Sequence, residues 1–422
     1  MSEQKTLPTP TLPDFLHAHM NARMECSSGR HCAKLVLGDA VPGPGAVMLM
    51  TNDYLSLAAD QRISRAKADA LLKEGHGDAI SRVFAHHRKD AHRRFELRVA
   101  AMMGAEDAAL SMSGYSANVG LIEAFAVPGH PVYIDIRAHA SLWSGVACGK
   151  AQARPFRHNN VADLDKKMAH YGPGLVVVDS LYSTSGAIAP LADIVEVVER
   201  HGGILVVDET HSFGTHGPGG AGLCVELGLE DRVHFRTAGL SKAIAARGGL
   251  VIGSKKAIEY YRYEANAMIF STAVLGYEIA GFDTTLDIIS AEPDRTTRLH
   301  DNHRYLKTGL HDLGYDVSAS DSQIISIVTG PNRDTIRFRD ALAREGVFGS
   351  VFLPPATPKD ESLIRFTLNA DLVEDELDHV IAACHAARPV VAPERLRRVK
   401  PSVAGTMAPS QSQAMSGAVS LR

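Results

Sequence analysis

Four short stretches combine residue types that could do chemistry together. The first is Gly203-Ile-Leu-Val-Val-Asp208-Glu-Thr-His211-Ser-Phe-Gly214: an apolar run ends on a carboxylate, a histidine follows three residues later, and more glycines stand at 217, 219, 220 and 222. Ligand sites of open α/β sheets lie at the carboxyl ends of strands, and clustered glycine lets backbone approach a ligand closely. The second is Thr237-Ala-Gly-Leu-Ser-Lys242, which follows another apolar run and precedes Arg247-Gly248-Gly249. Most lysines are solvated, but one desolvated among small residues has a lowered pKa and can form a Schiff base with an aldehyde cofactor. A carboxylate such as Asp208 facing the pyridine nitrogen of pyridoxal phosphate (PLP) would keep that nitrogen protonated and make the ring an electron sink.

The third stretch, Ser111-Met-Ser113-Gly114-Tyr115-Ser-Ala-Asn118, is a small-residue turn opening a helix predicted over 117–125. Free amides and the positive dipole end of such a helix suit a phosphate, although capped helix starts are common in any fold. The fourth is Asp135-Ile-Arg-Ala-His139-Ala-Ser141-Leu-Trp143, again after an apolar run. A lone histidine there would most often be structural.

The elements that must position these residues are short runs at 131–136, 174–179, 203–208, 233–238 and 250–252, which lack polar alternation, as expected for strands buried on both faces. They alternate with helical stretches such as 189–200, so the chain reads as α/β, with a mostly parallel sheet covered by helices. Further helices are expected at 15–24, 88–103, 294–313 and 373–386. The expected division is an N-terminal arm and helix over 1–45, a large domain over 46–275, a smaller α+β C-terminal domain over 276–388, and a disordered tail rich in Pro, Ser and Ala over 389–422.

A chain of 422 residues can bury a large core without disulfides. The net charge of -4 leaves no basic surplus for a phosphate backbone, so no nucleic-acid partner is expected. Cys26, Cys32, Cys148, Cys224 and Cys384 form no CxxC pair and read as reduced thiols. The polar N-terminus lacks a signal peptide's apolar core, and the strongest apolar runs are of strand length, so no membrane is expected and the protein is placed in the cytoplasm. His86, His87 and His92 lack ordered carboxylate or thiolate partners, so no metal is expected.

Taken in order, the four stretches resemble the α-oxoamine synthases, fold-type-I PLP enzymes that condense an amino acid with an acyl thioester. The resemblance runs over about residues 45 to 385 and rests on Asn52-Asp-Tyr-Leu55, Ser113-Gly-Tyr-Ser-Ala-Asn118, Asp208-Glu-Thr-His211-Ser, Leu240-Ser-Lys242, Phe270-Ser271-Thr272-Ala273 and Arg365-Phe-Thr-Leu-Asn369. It implies that Lys242 carries the cofactor and shuttles the substrate's α-proton, that Asp208 pairs with the pyridine nitrogen, that His211 bonds the ring hydroxyl and that His139 stacks on the ring. Gly114 and Tyr115 would hold the phosphate through backbone amides, joined by Ser183. Ser271 and Thr272 match residues that reach the phosphate from a partner subunit, implying a homodimer with shared active sites. Arg365 would grip the amino-acid carboxylate, with Asn52 also on the substrate side. The substrates implied are an amino acid and an acyl thioester, on coenzyme A or acyl carrier protein.

The chain also departs from that pattern. Gly239 stands where the family usually has a hydroxyl residue three before the lysine, which puts one phosphate contact in doubt; Thr237 is a candidate to replace it. A glycine-rich Ser-Gly-Thr-His stretch is replaced by Ser81-Arg82-Val-Phe-Ala-His86-His87-Arg88-Lys-Asp-Ala-His92-Arg-Arg-Phe95-Glu96. These variants, with His139-Ala-Ser141-Leu-Trp143 and Asp179-Ser-Leu-Tyr-Ser183, look most like the branch that makes quorum-sensing α-amino and α-hydroxy ketones. A nicotinamide dehydrogenase would need GxGxxG directly after an early strand, and a serine hydrolase a G-x-S-x-G elbow, which Gly114-Tyr-Ser116-Ala-Asn118 fails. A non-catalytic scaffold, the rival from another class, would be expected to lack the lysine. An aminotransferase, or a synthase of biotin, haem, threonine or sphingoid metabolism, is the rival among enzymes.

Overall fold

The computed structural model describes residues 12–28, 38–77, 80–84, 91–354 and 356–391. In chain order its strands are β1 (Val47–Leu49), β2 (Asp107–Ser111), β3 (Pro131–Asp135), β4 (Gln152–Phe156), β5 (Leu175–Asp179), β6 (Ile204–Asp208), β7 (Phe235–Gly239), β8 (Gly249–Gly253), β9 (Ile324–Gly330), β10 (Val347–Phe352) and β11 (Ser362–Thr367). Seven of them form one sheet in the order β2-β8-β7-β6-β5-β3-β4. Strand β8 runs antiparallel to both neighbours and the other pairings are parallel. Successive residues of β5 explain the missing polar alternation: Val176 and Val178 face one core cluster, Leu175 and Val177 the other. Both faces are covered, as parallel sheets require. The sheet thus has the expected α/β architecture.

The five expected runs match strands of this sheet to within two residues at either end, and β2 and β4 are strands of it that no expected run covers. Strand β4 lies at the sheet edge with Pro155 inside it, a residue that disguises a strand in sequence but is tolerated at an edge. The helix expected at 88–103 is Ala91–Met102, and those expected at 294–313 and 373–386 are Asp294–Asp312 and Glu374–Ala387.

A second sheet of four strands has the order β1-β10-β11-β9. Strand β1 pairs in parallel with β10, Val47 opposite Val347, although residue 47 falls within the range expected for the large domain. Burial of Val47 and Leu49 fixes it there, and a pairing between such distant segments leaves no local signature in sequence. Helix Gly276–Ala291 packs on Gln61–Glu74 so tightly that a Cβ on Gly281 would lie 2.2 Å from Lys67 Cε. At the C-terminal end Arg388–Val390 forms a 3-10 turn and Val391 is buried, so packed chain continues past residue 388; the rest of the expected tail, like Pro8 and Pro10 of the arm, lies outside the described residues. Among the described residues no helix is long and apolar enough to cross a membrane, and no group of three or more His, Cys, Asp or Glu could hold a metal ion.

Candidate active site

Asp179, Asp208 and Thr237 are register partners across β5, β6 and β7, forming one row at the carboxyl ends of adjacent parallel strands. Lys242 follows β7, His139 follows β3, and the helix Gly114–Phe125 starts just after β2, so the four chemistry-bearing stretches converge on that end of the sheet. They line a cavity of about 740 Å³ together with Asn52, Asn118, Ser141 and Thr210. Volumes of this order are typical of small-molecule sites. Backbone meets backbone on one wall: a Cβ on Gly114 would lie 2.8 Å from Gly239 Cα, and one on Gly249 would lie 2.2 Å from the Ser113 carbonyl oxygen. Only glycine permits that approach.

Asp208 is 3% exposed and held from two sides, by Asn118 Nδ2 donating to Oδ2 at 2.6 Å and by the Thr210 amide donating to Oδ1 at 2.8 Å. Asn118 also donates to Ser141 Oγ at 2.8 Å and accepts from Thr237 Oγ1 at 2.6 Å. The Ser141 amide donates to His139 Nδ1 at 3.3 Å, which makes that nitrogen an acceptor, so the Ser141 hydroxyl 2.7 Å away turns its proton toward it as well. That bond leaves the proton of a neutral His139 on Nε2. One asparagine therefore couples the orientation of Asp208 to that of His139. Sequence reasoning gave Asn118 and Ser141 no role; their only signal was membership of the quoted motifs.

His211 is buried and its Nδ1 lies in hydrogen-bond contact with the Tyr54 hydroxyl at 2.6 Å. Burial, then the nearby Lys242, Arg365 and His139, push His211 well below the ordinary histidine range, so the ring is neutral, and burial pushes the Tyr54 phenol up, so it remains a donor. With the phenol donating to Nδ1, the ring proton sits on Nε2, where it can be donated to a ligand oxygen. Tyr54 is a third residue to which the sequence assigns no role, though it stands two residues after Asn52 in a quoted motif.

Burial and the Arg365 guanidinium lower the Lys242 ammonium, which Asp208 opposes. Behind the lysine, Ala245 adopts φ 51°, a left-handed conformation that costs about 1 kcal/mol for a residue with a Cβ. Arg365, on β11, donates from Nη1 to the Ser183 carbonyl at 2.8 Å and from Nη2 to Asn52 Oδ1 at 3.5 Å, with the Phe352 ring 4.8 Å from its guanidinium carbon. Its buried Nε has no partner among the described residues, an arrangement that suits an anionic ligand.

Some expected residues lie apart. Ser183, Arg365, Ser271 and Thr272 are not among those lining the cavity. Ser183 meets Arg365 through its backbone oxygen, and Ser271 Oγ donates back to the Ala267 carbonyl of the short helix that precedes it. Thr272 is exposed, and Phe270 beside it is 81% exposed. Tyr115 points its hydroxyl at Ser144 Oγ, 2.7 Å away, leaving its amide in the first turn of the helix where a phosphate would sit. Thr237 is committed to Asn118 and does not replace the hydroxyl missing at Gly239. In the variant segment, Ser81 Oγ donates to the Ile269 carbonyl at 2.6 Å, His92 Nε2 donates to that of Val274 at 2.6 Å, and Glu96 is buried against Arg262 at 2.8 Å. Ile80, Ser81 and His92 thus brace the chain on either side of Ser271 and Thr272; His86, His87 and Arg88 lie outside the described residues.

The strand-end carboxylate, buried histidine and lysine gathered at one end of a mostly parallel sheet fit a fold-type-I PLP-dependent transferase. The comparisons agree. The family model "Aminotransferase class I and II" matches residues 45–383. The chain is 40% identical to a CAI-1 autoinducer synthase of Vibrio campbellii over 90% of its own length and 96% of the relative's. It is 36% identical to an 8-amino-7-oxononanoate synthase of Anaeromyxobacter sp. over 85% and 90%. A solved serine palmitoyltransferase from S. paucimobilis with bound PLP–myriocin aldimine superposes with a TM-score of 0.79 at 29% identity, over 89% of this chain and 98% of that one. The chain belongs to the class I and II aminotransferase family, within its α-oxoamine synthase branch. PLP is its cofactor, and the donor set fits it: a carboxylate for the pyridine nitrogen, an imidazole N–H for the ring hydroxyl, helix-start amides for the phosphate and a lysine for the aldehyde.

Proposed function

We propose that the protein joins a small α-amino acid, or a derivative of one, to a medium-chain fatty acyl group delivered as a thioester of coenzyme A or acyl carrier protein. A bond forms between the α-carbon and the acyl carbonyl carbon, the thiol leaves, the amino-acid carboxylate departs as carbon dioxide, and a proton replaces it. The product is an α-amino ketone, the precursor of a quorum-sensing signal. The observation that carries this reading is the juxtaposition of Lys242, its amine lowered by burial, with Asp208, in a chain so similar to an autoinducer synthase.

Bound PLP supplies an electron sink for charge developing at the substrate's α-carbon. Lys242 Nζ takes and returns the proton at that carbon, and its lowered pKa enlarges the neutral fraction able to do so. Asp208 holds the proton on the pyridine nitrogen, and Asn118 holds Asp208. His211 donates to the ring hydroxyl oxygen through Nε2, its tautomer set by Tyr54. His139, on the cavity wall, would face the bound ring and offer Nε2–H to the acyl oxygen as charge builds there. Arg365 binds the substrate carboxylate, with Asn52 and the Ser183 carbonyl fixing the guanidinium. Gly114 and Tyr115 amides hold the phosphate, joined by Ser271 and Thr272 of the partner subunit in a homodimer with shared sites. The exposure of Thr272 and Phe270 in a single chain supports that assembly. The reading places the enzyme in the cytoplasm.

The test is an assay of purified protein with a panel of amino acids against acyl-CoA of graded length, read by mass spectrometry. Carbon dioxide release with medium chains is expected. Preference for pimeloyl, succinyl, acetyl or palmitoyl thioester would overturn the signalling reading, and amino-group transfer without carbon dioxide would overturn the synthase reading.

A further inference from the structure

The hydroxyl missing at residue 239 has a counterpart on the neighbouring strand. Thr210, two residues past the end of β6, lines the cavity beside Gly114 and Gly239, and its Oγ1 accepts from the Gly239 amide at 2.7 Å. A Cβ built on Gly239 would lie 3.0 Å from Thr210 Cγ2 and 3.2 Å from its Oγ1, so a branched side chain at 239 and the threonine at 210 compete for one space. The same Oγ1 would lie 3.7 Å from a Cβ on Gly114, which places it at the start of the helix whose first amides face the phosphate position. A hydroxyl carries one donor proton as well as acceptor lone pairs. The Gly239 amide uses a lone pair, and the proton has no acceptor among the described residues.

We propose that Thr210 supplies the hydroxyl contact to the PLP phosphate, the glycine at 239 being what makes room for it. The contact has moved from β7 to the loop after β6, so the number of phosphate ligands is kept while their strand of origin changes. An O–H donated to a phosphate oxygen is charge-assisted, so it discriminates PLP from pyridoxal, which lacks the phosphate.

The proposal is tested by binding to cofactor-free protein, titrated by absorbance and fluorescence with PLP and separately with pyridoxal. The readout is the ratio of the two affinities, which cancels any general disturbance of the pocket. Thr210→Val keeps the shape and removes the hydroxyl; it should lower the PLP-to-pyridoxal ratio about tenfold, while Thr210→Ser leaves it within about threefold. The reciprocal swap Thr210→Ala with Gly239→Thr should restore the ratio, and it decides the matter should the valine variant not fold. A ratio unchanged in Thr210→Val, or unrestored by the swap, overturns the assignment. If the parent itself shows no preference for PLP over pyridoxal, the phosphate site as a whole is misplaced, an outcome distinct from the failure of Thr210 alone.

Discussion

Replacing Asp208 by asparagine tests the network at its centre. Both carboxylate oxygens accept from N–H groups, Asn118 Nδ2 at 2.6 Å and the Thr210 amide at 2.8 Å, so an introduced NH2 faces a donor whichever way it is placed. Leaving that clash in a buried site costs about 1–3 kcal/mol. Asn118 can relieve it only by turning over, which puts its oxygen next to Ser141 Oγ and draws the serine proton away from His139 Nδ1. In the proposed mechanism the lost negative charge also removes what would keep the pyridine nitrogen protonated. Together these should slow proton abstraction by about 100-fold or more, roughly 3 kcal/mol in barrier. The assay is exchange of the substrate α-proton with deuterated water, followed by NMR without acyl thioester, so that only the proton step is read. Asp179→Asn is the comparator. Asp179 lies beside Asp208 in the same row and accepts from the His139 amide at 3.0 Å, but burial and Asp208 push its carboxyl well up. An asparagine oxygen accepts the same bond, so the exchange rate should stay within about tenfold of the parent's. A heavier loss in Asp179→Asn than in Asp208→Asn would show that the charge had been assigned to the wrong carboxylate.

The remaining expectations concern the lysine, the dimer, the histidine clamp and pH. Borohydride reduction and peptide mapping should place the pyridoxyl group on Lys242, and Lys242→Ala should fold yet not turn over; a label on Lys255 or Lys256 refutes this. Mixing a Lys242→Ala subunit with a Ser271→Ala/Thr272→Ala subunit should restore part of the activity, and an active monomer at low concentration excludes shared sites. Tyr54→Phe leaves His211 Nδ1 without its donor and should lower α-proton exchange about tenfold while shifting the pH titration of the bound cofactor's visible band; no change in either denies that Tyr54 sets the tautomer. Because the Asp179 carboxyl is raised in the folded chain, folding there retains a proton that the unfolded chain releases, so stability falls as pH rises from the ordinary carboxylate range through the raised folded value. Thermal melts across that range should show the parent losing stability relative to Asp179→Asn, and parallel curves would contradict the shift.

Much of the site was legible because strand-end chemistry is local. Asp208 and Lys242 each follow a buried apolar run, and His139 comes a few residues after another, so sequence alone puts them at one end of a sheet. What the sequence withheld is pairwise. Asn118 reads as one more helical residue until Asp208 and Ser141 are seen on either side of its amide, and Tyr54 reads as a core aromatic until His211 meets its hydroxyl. Thr237 looked as good a substitute for the missing hydroxyl as any neighbour, and only its bond to Asn118 removes it. Strand β4 was hidden by Pro155, and β1 by the distance to its partner.

The pairing of Val47 with Val347 has a consequence for how the chain is made. The ribosome must add about 300 residues before β1 has a strand to join, about 15–60 s at ordinary elongation rates. Throughout that wait Asn52 and Tyr54 trail a strand with an open edge, whereas the large sheet, whose strands end at Gly253, gains its last segment well before β10 is made. Arg365 is synthesised later still, on β11, and its bond to Asn52 closes a link between the two ends of the folded chain. A nascent chain arrested after β8 would have Lys242, Asp208 and His139 in hand but neither the arginine nor the anchored tyrosine loop. If Arg365 binds the amino-acid carboxylate as proposed, that competence is acquired last, when the small sheet closes.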